Sequence, residues 1–431
     1  MKVLFQSRTD LFTNKGGDTY QIEYTKKYIE TLFPDVKIDI STKINEPNIN
    51  DYDIVNVFNL DWIVETYPQV MWAKKHNKKV VLNAIHHSYK EVKRFEKEAR
   101  YDFRRITNFL IPNQEYLDML KNVARSTVFM KFDKFKPTIT QLKMGIRNQQ
   151  REILRNVDMV IVQTEAEYHS IKEDFNVDDF NYKKVVLGVN TKLFGFVSEK
   201  EFVEYMKEHY DVDMKNHQLV LNVGRVEPRK NQINLIKAFR EFKDGDSTNN
   251  SDFILVFIGA KTNKSPEFVY KFNKLVQKYD DIYYLGSQTQ KFVASAMASM
   301  FNMNQTGKDI TTSTINNGFG QDVEKNITEN KKIYVQTSWF ETIGLVSLEA
   351  TLSGMSVVAS GDRIRDYLKE YAVYCDVGEV ESISDGIKKA VNKDVDEQEK
   401  AKYIQEFRQK YTWENTAKQT IEVYRKLLQN G

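Results

Sequence analysis

The chain alternates between two patterns of hydrophobic and polar residues along its 431 positions. Short, almost purely apolar runs recur, and the stretches between them place apolar residues at the spacing of an amphipathic helix. Apolar strands separated by such helices are typical of parallel sheets that are covered on both faces. The predicted strands occupy residues 3–6, 36–40, 54–58, 80–84, 159–163 and 184–187 in the first half, and 219–224, 253–258, 282–285, 333–336, 357–359 and 372–375 in the second half.

The two groups of strands predict two domains. A chain of this length can hold two domains of about 200 residues, each with its own core. We therefore predict an α/β fold in which two Rossmann-like domains face each other across a cleft, with the break near residues 188–196. The predicted domains are residues 1–190 and 191–410, followed by a terminal helix in residues 411–431.

Composition narrows the class of protein. Hydrophobic residues make up 41% of the chain, which is enough for packed cores. The single cysteine, Cys375, excludes a disulfide framework and a cysteine-based metal cluster. No apolar run of about 20 residues predicts a membrane span, and the apolar start is too short for a signal peptide. We therefore expect a cytoplasmic protein.

Charge is unevenly distributed, although the formal net charge is only +3. Residues 88–156 contain 16 Lys and Arg against 8 Asp and Glu, with aromatic and aliphatic residues between them. One interpretation is a set of helices with a solvated charged face and a core face. The other is a basic surface that meets anionic lipid at the inner face of the membrane, or a lipid-diphosphate acceptor. No nucleic-acid partner is expected, because no recognised nucleic-acid motif accompanies this charge.

Two glutamates eight positions apart, Glu341 and Glu349, form the most informative motif. An apolar strand precedes them and a helical pattern follows, so Glu341 is predicted in a loop and Glu349 inside the helix. The backbone amides at the start of this helix are a ready anion site. These amides belong to Thr342, Ile343, Gly344 and Leu345. A phosphate there suits a nucleotide-sugar, with one glutamate on the sugar and one on the ribose; the alternative is a capping acid and a solvated helix acid.

Cations follow another strand of the buried type. Residues 219–223 lead into a glycine turn, and Arg225 and Lys230 are predicted to project from the strand end and the next helix start. Guanidinium and ammonium groups at such a place can hold a diphosphate leaving group. The alternative is exposed charge that flanks a helix.

Two further candidate groups lie between a strand and a helix in the first half. Gly16 and Gly17 separate the first strand from the first helix, where glycine lets the backbone approach a ligand. His86 and His87 follow the strand at 80–84, at the edge where open α/β sheets bind ligands. The alternatives are an ordinary turn for the glycines and a capping or core role for the histidine.

Together these motifs resemble those of the family 4 retaining glycosyltransferases, which have the GT-B fold. The spacing of Glu341 and Glu349 is similar to that of the paired glutamates of this family. Arg225 and Lys230 resemble its cationic element, although Asn231 stands where the family usually has glycine. Asparagine tolerates left-handed backbone, so we expect the turn to be kept.

The resemblance covers nearly the whole chain. Residues 16–21, Gly-Gly-Asp-Thr-Tyr-Gln, resemble a variant loop of bacterial enzymes that build surface polysaccharide. Residues 187–194 resemble the segment that joins the two domains of the family, and residues 413–428 resemble its terminal helix, which crosses back to the first domain. The chain departs from the family pattern at residues 297–329, where a polar loop insertion is predicted.

The resemblance implies a retaining hexosyltransferase-type enzyme that requires no metal ion and no other cofactor. It would move a sugar from a nucleoside-diphosphate sugar to a glycan, lipid-linked or protein acceptor, as in bacterial surface polysaccharide or glycoconjugate synthesis. The implied catalytic residues are His86, Glu341, Arg225 and Lys230, and His86 is preferred to His87 as the histidine that contacts the donor sugar. The implied nucleotide-sugar contacts are Gly16, Gly17, Arg225, Lys230, Thr342, Ile343, Gly344, Leu345 and Glu349.

Two other functions remain open on the sequence alone. A protein of this fold without transfer activity could serve as a sugar-binding scaffold in a polysaccharide-assembly complex, but a scaffold does not need the four charged residues. A nucleotide-sugar epimerase would need additional acid and base residues, which the sequence does not identify.

Overall fold

The computed structural model describes residues 1–13, 16–99, 139–140, 143–245, 250–298, 331–393 and 396–429. These residues contain two six-stranded sheets in which neighbouring strands are parallel, one sheet in each half of the chain. The first sheet contains β1 (Lys2–Gln6), β2 (Lys37–Ser41), β3 (Ile54–Phe58), β4 (Lys79–Asn83), β5 (Met159–Val162) and β6 (Tyr182–Lys184). The second contains β7 (Gln218–Val223), β8 (Phe253–Ile258), β9 (Ile282–Tyr284), β10 (Lys332–Val335), β11 (Ser356–Ala359) and β12 (Ala372–Tyr374).

Helices cover both faces of the sheets, so central strands such as β8 are buried along their whole length. The helices of the first domain are α1 (Gly17–Leu32), α2 (Ile63–Lys75), α3 (Tyr89–Glu98), α4 (Ile146–Asn156) and α5 (Glu165–Phe175). The second domain and the chain end contain α6 (Lys200–Tyr210), α7 (Gln232–Lys243), α8 (Pro266–Lys278), α9 (Gln290–Met297), α10 (Leu345–Leu352), α11 (Asp362–Leu368), α12 (Val380–Asn392), α13 (Glu397–Lys410) and α14 (Trp413–Gln429).

The order of the strands creates one crevice in each sheet. The first sheet has the order β2-β1-β3-β4-β5-β6, and the second has the order β12-β11-β10-β7-β8-β9. The direction in which successive strands are added reverses between β1 and β3 in the first sheet, and between β7 and β10 in the second. Loops leave in opposite directions at such a switch point, and the space between them is where doubly wound sheets bind ligands.

Every strand predicted from the sequence has a counterpart in the structure, with one displaced. The apolar run at 184–187 predicted a strand there, but β6 lies at Tyr182–Lys184 and shares only its last residue with the prediction. Val185 and Val186 are buried all the same. The N–H group of Val186 donates to Gln419 Oε1 at 3.0 Å, so part of this segment bonds to α14 and not to a strand.

The terminal helix α14 packs on the first domain, as the sequence predicted. Ala417 and Ile421 of this helix belong to the same buried cluster as Val3 and Ile22. The chain enters the helix in close contact with the segment that joins the domains, because a side chain at Gly188 would stand 2.3 Å from the Trp413 nitrogen. Glycine is required at this crossing.

Two sequence predictions lie outside the described residues. They are most of the polar insertion at 297–329 and the middle of the basic region at 88–156. In the part of the chain that the structure describes, no helix has the length and apolar content needed to span a bilayer.

Candidate functional site

The candidate site lies at the switch point of the second sheet. β7 and β10 are neighbours there, with Leu221 opposite Tyr334. The loop after β7 carries Lys230, and the loop after β10 carries Glu341. Because parallel strands end at the same edge of a sheet, the fold brings together two residues that are 111 positions apart in the sequence.

Glu341 is held by cations. Lys230 Nζ donates to Glu341 Oε1, and the guanidinium of Arg229 lies 3.5 Å from Glu341 Oε2. Burial alone would raise the pKa of Glu341, but the charges of Lys230 and Arg229 outweigh it and lower that pKa to about 2. Glu341 is therefore an ionised carboxylate at neutral pH. Arg229 carries no motif of its own and was not predicted as a site residue.

The backbone of the loop after β7 is fixed by a tight turn. The single 3₁₀ turn Pro228–Lys230 ends at Asn231, whose φ of 59° lies in the left-handed region. Asparagine adopts this conformation more readily than most residues, so the turn is kept where the resembled family usually has glycine. The Asn231 side chain donates to the Val377 carbonyl at 2.7 Å, and Thr337 Oγ1 donates to the Lys230 carbonyl at 3.0 Å.

Arg225 lies in the same loop but is not engaged by it. Its side chain is exposed, and it makes no hydrogen bond or ion pair with another residue in the described ranges. Its backbone is held, because Gln232 Nε2 donates to the Arg225 carbonyl at 3.0 Å. A fixed backbone with an unengaged guanidinium is suited to binding an anion from solution.

The loop after β10 ends in the start of α10. Gly344 caps this helix with a φ of 67°, and the Tyr367 hydroxyl donates to the Gly344 carbonyl at 2.9 Å. Across the described part of the chain, the structure gives no hydrogen-bond acceptor to the backbone N–H groups of this loop. Those groups belong to Thr342, Ile343, Gly344 and Leu345. Unpaired N–H groups at a helix start are suited to binding an anion, and the anion site predicted there next to Glu341 stays a prediction.

Glu349 lies one turn into α10 and differs from Glu341 in its electrostatics. Burial raises the pKa of Glu349 to about 8, and a hydrogen bond with the Gln290 side chain opposes the shift only in part. Gln290 begins α9, directly after the turn that follows β9. The two glutamates therefore have different neighbours, cations at Glu341 and a neutral amide at Glu349.

His86 is completely buried and uses both ring nitrogens. Nδ1 lies 2.6 Å from Asp61 Oδ1, and Nε2 lies 2.8 Å from Asp174 Oδ2. Burial disfavours the charged ring, but the two carboxylates outweigh it and raise the pKa of His86 to about 9. This imidazolium holds the loop after β4 in place. The His86 side chain has no exposed surface, and its predicted contact with the donor sugar stays a prediction.

His87, unlike His86, is partly exposed and contacts the second domain. Its side chain is 26% exposed, and its Nδ1 lies 3.0 Å from Asp61 Oδ2. Its ring packs edge-to-face against Phe340, with 5.2 Å between the ring centroids. Phe340 directly precedes Glu341, so His87 brings the first domain against the loop that carries the glutamate.

Arg363 of α11 joins the two domains at this point, and the sequence analysis missed it. Its buried guanidinium donates to the backbone carbonyl of His86 and, at 3.0 Å, to Ser170 Oγ, both in the first domain. It also donates to the Glu341 carbonyl at 3.3 Å. No short-range signal predicts a contact between residues 277 positions apart.

The Gly-Gly-Asp-Thr motif lies at the start of α1 in the first domain. Asp18 binds the Arg8 guanidinium at 2.7 Å, and the N–H group of Gly16 donates to Thr19 Oγ1 at 3.2 Å. A side chain at Gly17 would stand in open space. The polar residues of the motif therefore fix the loop between β1 and α1, and Gly17 leaves the backbone accessible.

Comparison with known proteins finds likeness in structure and not in sequence. No protein-family model matches the chain, and no curated protein matches it. Sucrose-phosphate synthase from Thermosynechococcus elongatus has a TM-score of 0.62 at 13% identity over 100% of both chains. A glycosyltransferase from Rickettsia africae has a TM-score of 0.61 at 13% identity, over 100% of this chain and 99% of its own. Anabaena HepE, solved in complex with UDP and glucose, has a TM-score of 0.59 at 13% identity, over 99% of this chain and 100% of its own.

At this level of identity the likeness shows the fold alone. The matches extend over both domains and the terminal helix, and the chain has the GT-B fold that the sequence predicted. Membership of family 4 stays a prediction.

Proposed function

We propose that this protein is a retaining glycosyltransferase that takes a sugar from a nucleoside-diphosphate sugar. The observation that carries the proposal is the Lys230–Glu341 ion pair at the switch point of the second sheet. Exposed Arg225 lies in the same loop as Lys230, and the amides at the start of α10 have no acceptor among the described residues. The complex of HepE with UDP and glucose supports a donor of this class.

The donor would fit this site through three contacts. Its diphosphate lies against Arg225 and the amides of α10, where positive charge meets an anion. Lys230 then turns from Glu341 to a phosphate oxygen, which frees the Glu341 carboxylate to accept hydrogen bonds from the sugar. Glu349 accepts a hydrogen bond from the ribose, beside the turn at 285–288 that would contact the base.

Transfer would proceed on one face of the sugar. The bond between the anomeric carbon and the phosphate oxygen breaks, and Arg225, Lys230 and the helix amides stabilise the charge on the leaving diphosphate. The acceptor hydroxyl oxygen bonds to the anomeric carbon from the side that the diphosphate leaves. Its proton passes to the departing phosphate oxygen, so the configuration of the sugar is retained. These protein cations take the part that a metal ion plays elsewhere, and no metal is required.

The acceptor would be bound by the first domain. We propose a glycan, lipid-linked or protein acceptor in bacterial surface polysaccharide or glycoconjugate synthesis, with Gly16 and Gly17 beside it. The basic region at 88–156 favours an anionic acceptor or an anionic membrane surface, so the protein would act at the cytoplasmic face of the membrane. No observation favours the alternative of a non-catalytic scaffold, because a scaffold does not need Arg225, Lys230 and Glu341 in these two loops.

The experiment that tests the proposal has two stages. Thermal unfolding with UDP, GDP, ADP and CMP, and with their sugars, identifies the donor, because a ligand that binds only the folded state raises the melting temperature. An NMR time course with that donor then gives the anomeric configuration of the product, with and without EDTA. We expect a retained configuration in both. An inverted product, or activity that chelation abolishes and manganese restores, would contradict the mechanism.

A further inference from the structure

Glu91 differs from the other acids that surround the interface between the domains. Asp61, Asp174, Glu167 and Glu341 each accept a hydrogen bond from a residue in the described ranges. Glu91 Oε2 is shielded from solvent and has no hydrogen-bond partner among the described residues. A carboxylate oxygen removed from water without a donor is destabilised, so Glu91 lacks the hydrogen bond that these four acids have.

The position of Glu91 indicates where the missing donor belongs. Glu91 lies in the first turn of α3, and its Oε1 is 3.5 Å from the point where a side chain at Gly361 would stand. Gly361 is in the second domain and precedes Arg363, which bonds to the backbone of Glu341. The carboxyl group thus faces the second domain close to the loop that carries Glu341.

The surrounding charges exclude an anion as the partner of Glu91. Burial raises the pKa of Glu91; Arg363 opposes this shift, and Asp362, Asp174 and Glu341 add to it. A phosphate would meet three carboxylates there. A neutral hydroxyl suits the site, because a carboxylate only accepts hydrogen bonds and a sugar offers several hydroxyl donors.

We propose that Glu91 is a specificity-determining residue that accepts a hydrogen bond from a hydroxyl group of the donor sugar, across the cleft from Glu341. This assignment rests on the proposed function. Glu341 would hold the sugar from the second domain and Glu91 from the first, so the sugar is bound only where both domains contribute.

The test compares the affinities of a nucleotide-sugar and of its bare nucleotide in the same variant. UDP-glucose, UDP-N-acetylglucosamine and GDP-mannose are titrated into the full-length protein, with UDP and GDP as references. In Glu91→Gln we expect about a tenfold loss for the sugar nucleotide that wild type binds, because a charge-assisted hydrogen bond is lost, and no change for the bare nucleotide. Glu98→Gln, which removes an exposed carboxylate from the same helix, should change neither.

Three outcomes would overturn the assignment and leave the proposed function intact. Equal affinities in wild type and Glu91→Gln show that no sugar hydroxyl uses this group, and a parallel loss for sugar nucleotide and bare nucleotide shows a structural role. A change confined to the KM of the acceptor places Glu91 on the other substrate. If Glu91→Gln does not fold, Glu91→Asp replaces it in the test, because Asp keeps the charge but is shorter by one methylene. The ratio of its affinities for the sugar nucleotide and the bare nucleotide then shows whether a sugar hydroxyl uses this carboxylate. A wild type that binds no nucleotide-sugar refutes the proposed function itself, and this assignment with it.

Discussion

Arg225 and Lys230 carry the same charge in the same loop, but their surroundings differ. Arg225 is exposed and unengaged within the described residues, whereas Lys230 is the main partner of a buried glutamate. Removing the first should therefore affect only the bound states. Removing the second should also affect the free protein. The two variants separate a ligand contact from an internal ion pair.

For Arg225→Ala we expect a loss of about 2–4 kcal/mol in transition-state stabilisation, as for other preorganised charged or hydrogen-bonding groups. The melting temperature without ligand should change little, because the guanidinium makes no hydrogen bond or ion pair with any described residue. Steady-state kinetics and thermal unfolding measure both quantities. Lys237→Ala, an exposed lysine on α7, is the control. Turnover at the wild-type rate would remove Arg225 from the site.

Lys230→Ala should lower the melting temperature as well as activity. It leaves the Glu341 carboxylate with the more distant Arg229 as its nearest cation, and a poorly compensated buried charge is strongly destabilising. In Lys230→Ala/Glu341→Ala the charge is gone, so part of the stability should return. A double-mutant cycle from urea unfolding measures this coupling. Additive losses would show that the two side chains are not paired in solution.

Glu349 predicts a dependence of stability on pH. Its pKa is raised from 4.5 to about 8 in the folded protein, so between these values the folded state holds a proton that the unfolded chain releases. The free energy of unfolding must then fall as pH rises from 4.5 towards 8. Glu349→Gln should lose this dependence on pH. His86, whose pKa of about 9 lies above its usual 6.5, also makes the free energy of unfolding fall with rising pH, but it does so equally in wild type and in Glu349→Gln. Urea unfolding across this range tests it, and parallel curves for the two proteins would contradict it.

At the scale of single elements, the sequence predicted most of the fold, because apolar runs separated by amphipathic helices identify buried strands directly. The failure at β6 shows the limit of that reasoning. Val186 and Leu187 are apolar because they are buried, but part of what buries them is α14, which is distant in the sequence. An apolar run indicates that a segment is buried. It does not indicate which element of the fold buries it.

The candidate site was predictable to the extent that it follows strand ends. Glu341, Lys230 and the α10 amides lie after adjacent parallel strands, and a strand–loop–helix pattern locates them. The burial of His86 could not be predicted from its strand end, because its ring is covered by Asp61 and Asp174, which come from other parts of the chain. Arg363 could not be singled out for the same reason, since its contacts with His86 and Ser170 cross to the other domain.

The start of α10 depends on one glycine, and this gives a prediction for the element. A side chain at Gly344 would require a left-handed backbone, and its Cβ would stand 2.9 Å from Ile364 Cδ1 and 3.1 Å from the Gln336 amide. The backbone strain alone costs roughly 1–2 kcal/mol. Gly344→Ala should therefore be less stable than wild type and bind nucleoside diphosphate more weakly, because the amides move.

The matched comparison for stability is Gly286→Ala. Gly286 has a similar φ of 71°, but a side chain there would meet nothing within 4 Å. It carries the backbone strain without the collision, so urea unfolding should show a smaller loss than for Gly344→Ala. Equal losses of stability in the two variants would contradict this prediction. They would mean that the residues around Gly344 can make room for a methyl group, so their packing does not fix the position of the amides.

At the scale of the whole molecule, the two domains contact each other through residues that no sequence pattern predicts to be close. Arg94 on α3 bonds to Asp376 at 2.7 Å, but both side chains are about two-fifths exposed, at 39% and 43%. Beside them Ala99 packs with Trp339 and Val377, all at most 7% exposed. An exposed ion pair contributes at most about 1 kcal/mol, whereas removing a buried tryptophan side chain costs about 3–5 kcal/mol.

These magnitudes predict that the apolar cluster, and not the ion pair, holds the domains together. Trp339→Ala should increase the radius of gyration of the ligand-free protein in X-ray scattering, because the first domain separates from the second. Asp376→Ala should change the radius of gyration little. Lys207→Ala is the control, because it breaks an exposed ion pair at the end of α6, away from the interface. High salt should have as little effect as Asp376→Ala, since it screens the same interaction. An equal increase in the radius of gyration for Asp376→Ala or high salt and for Trp339→Ala would contradict this prediction. Charge, and not burial, would then set the distance between the domains. In that case donor binding should weaken as the ionic strength rises, because the domains would move apart.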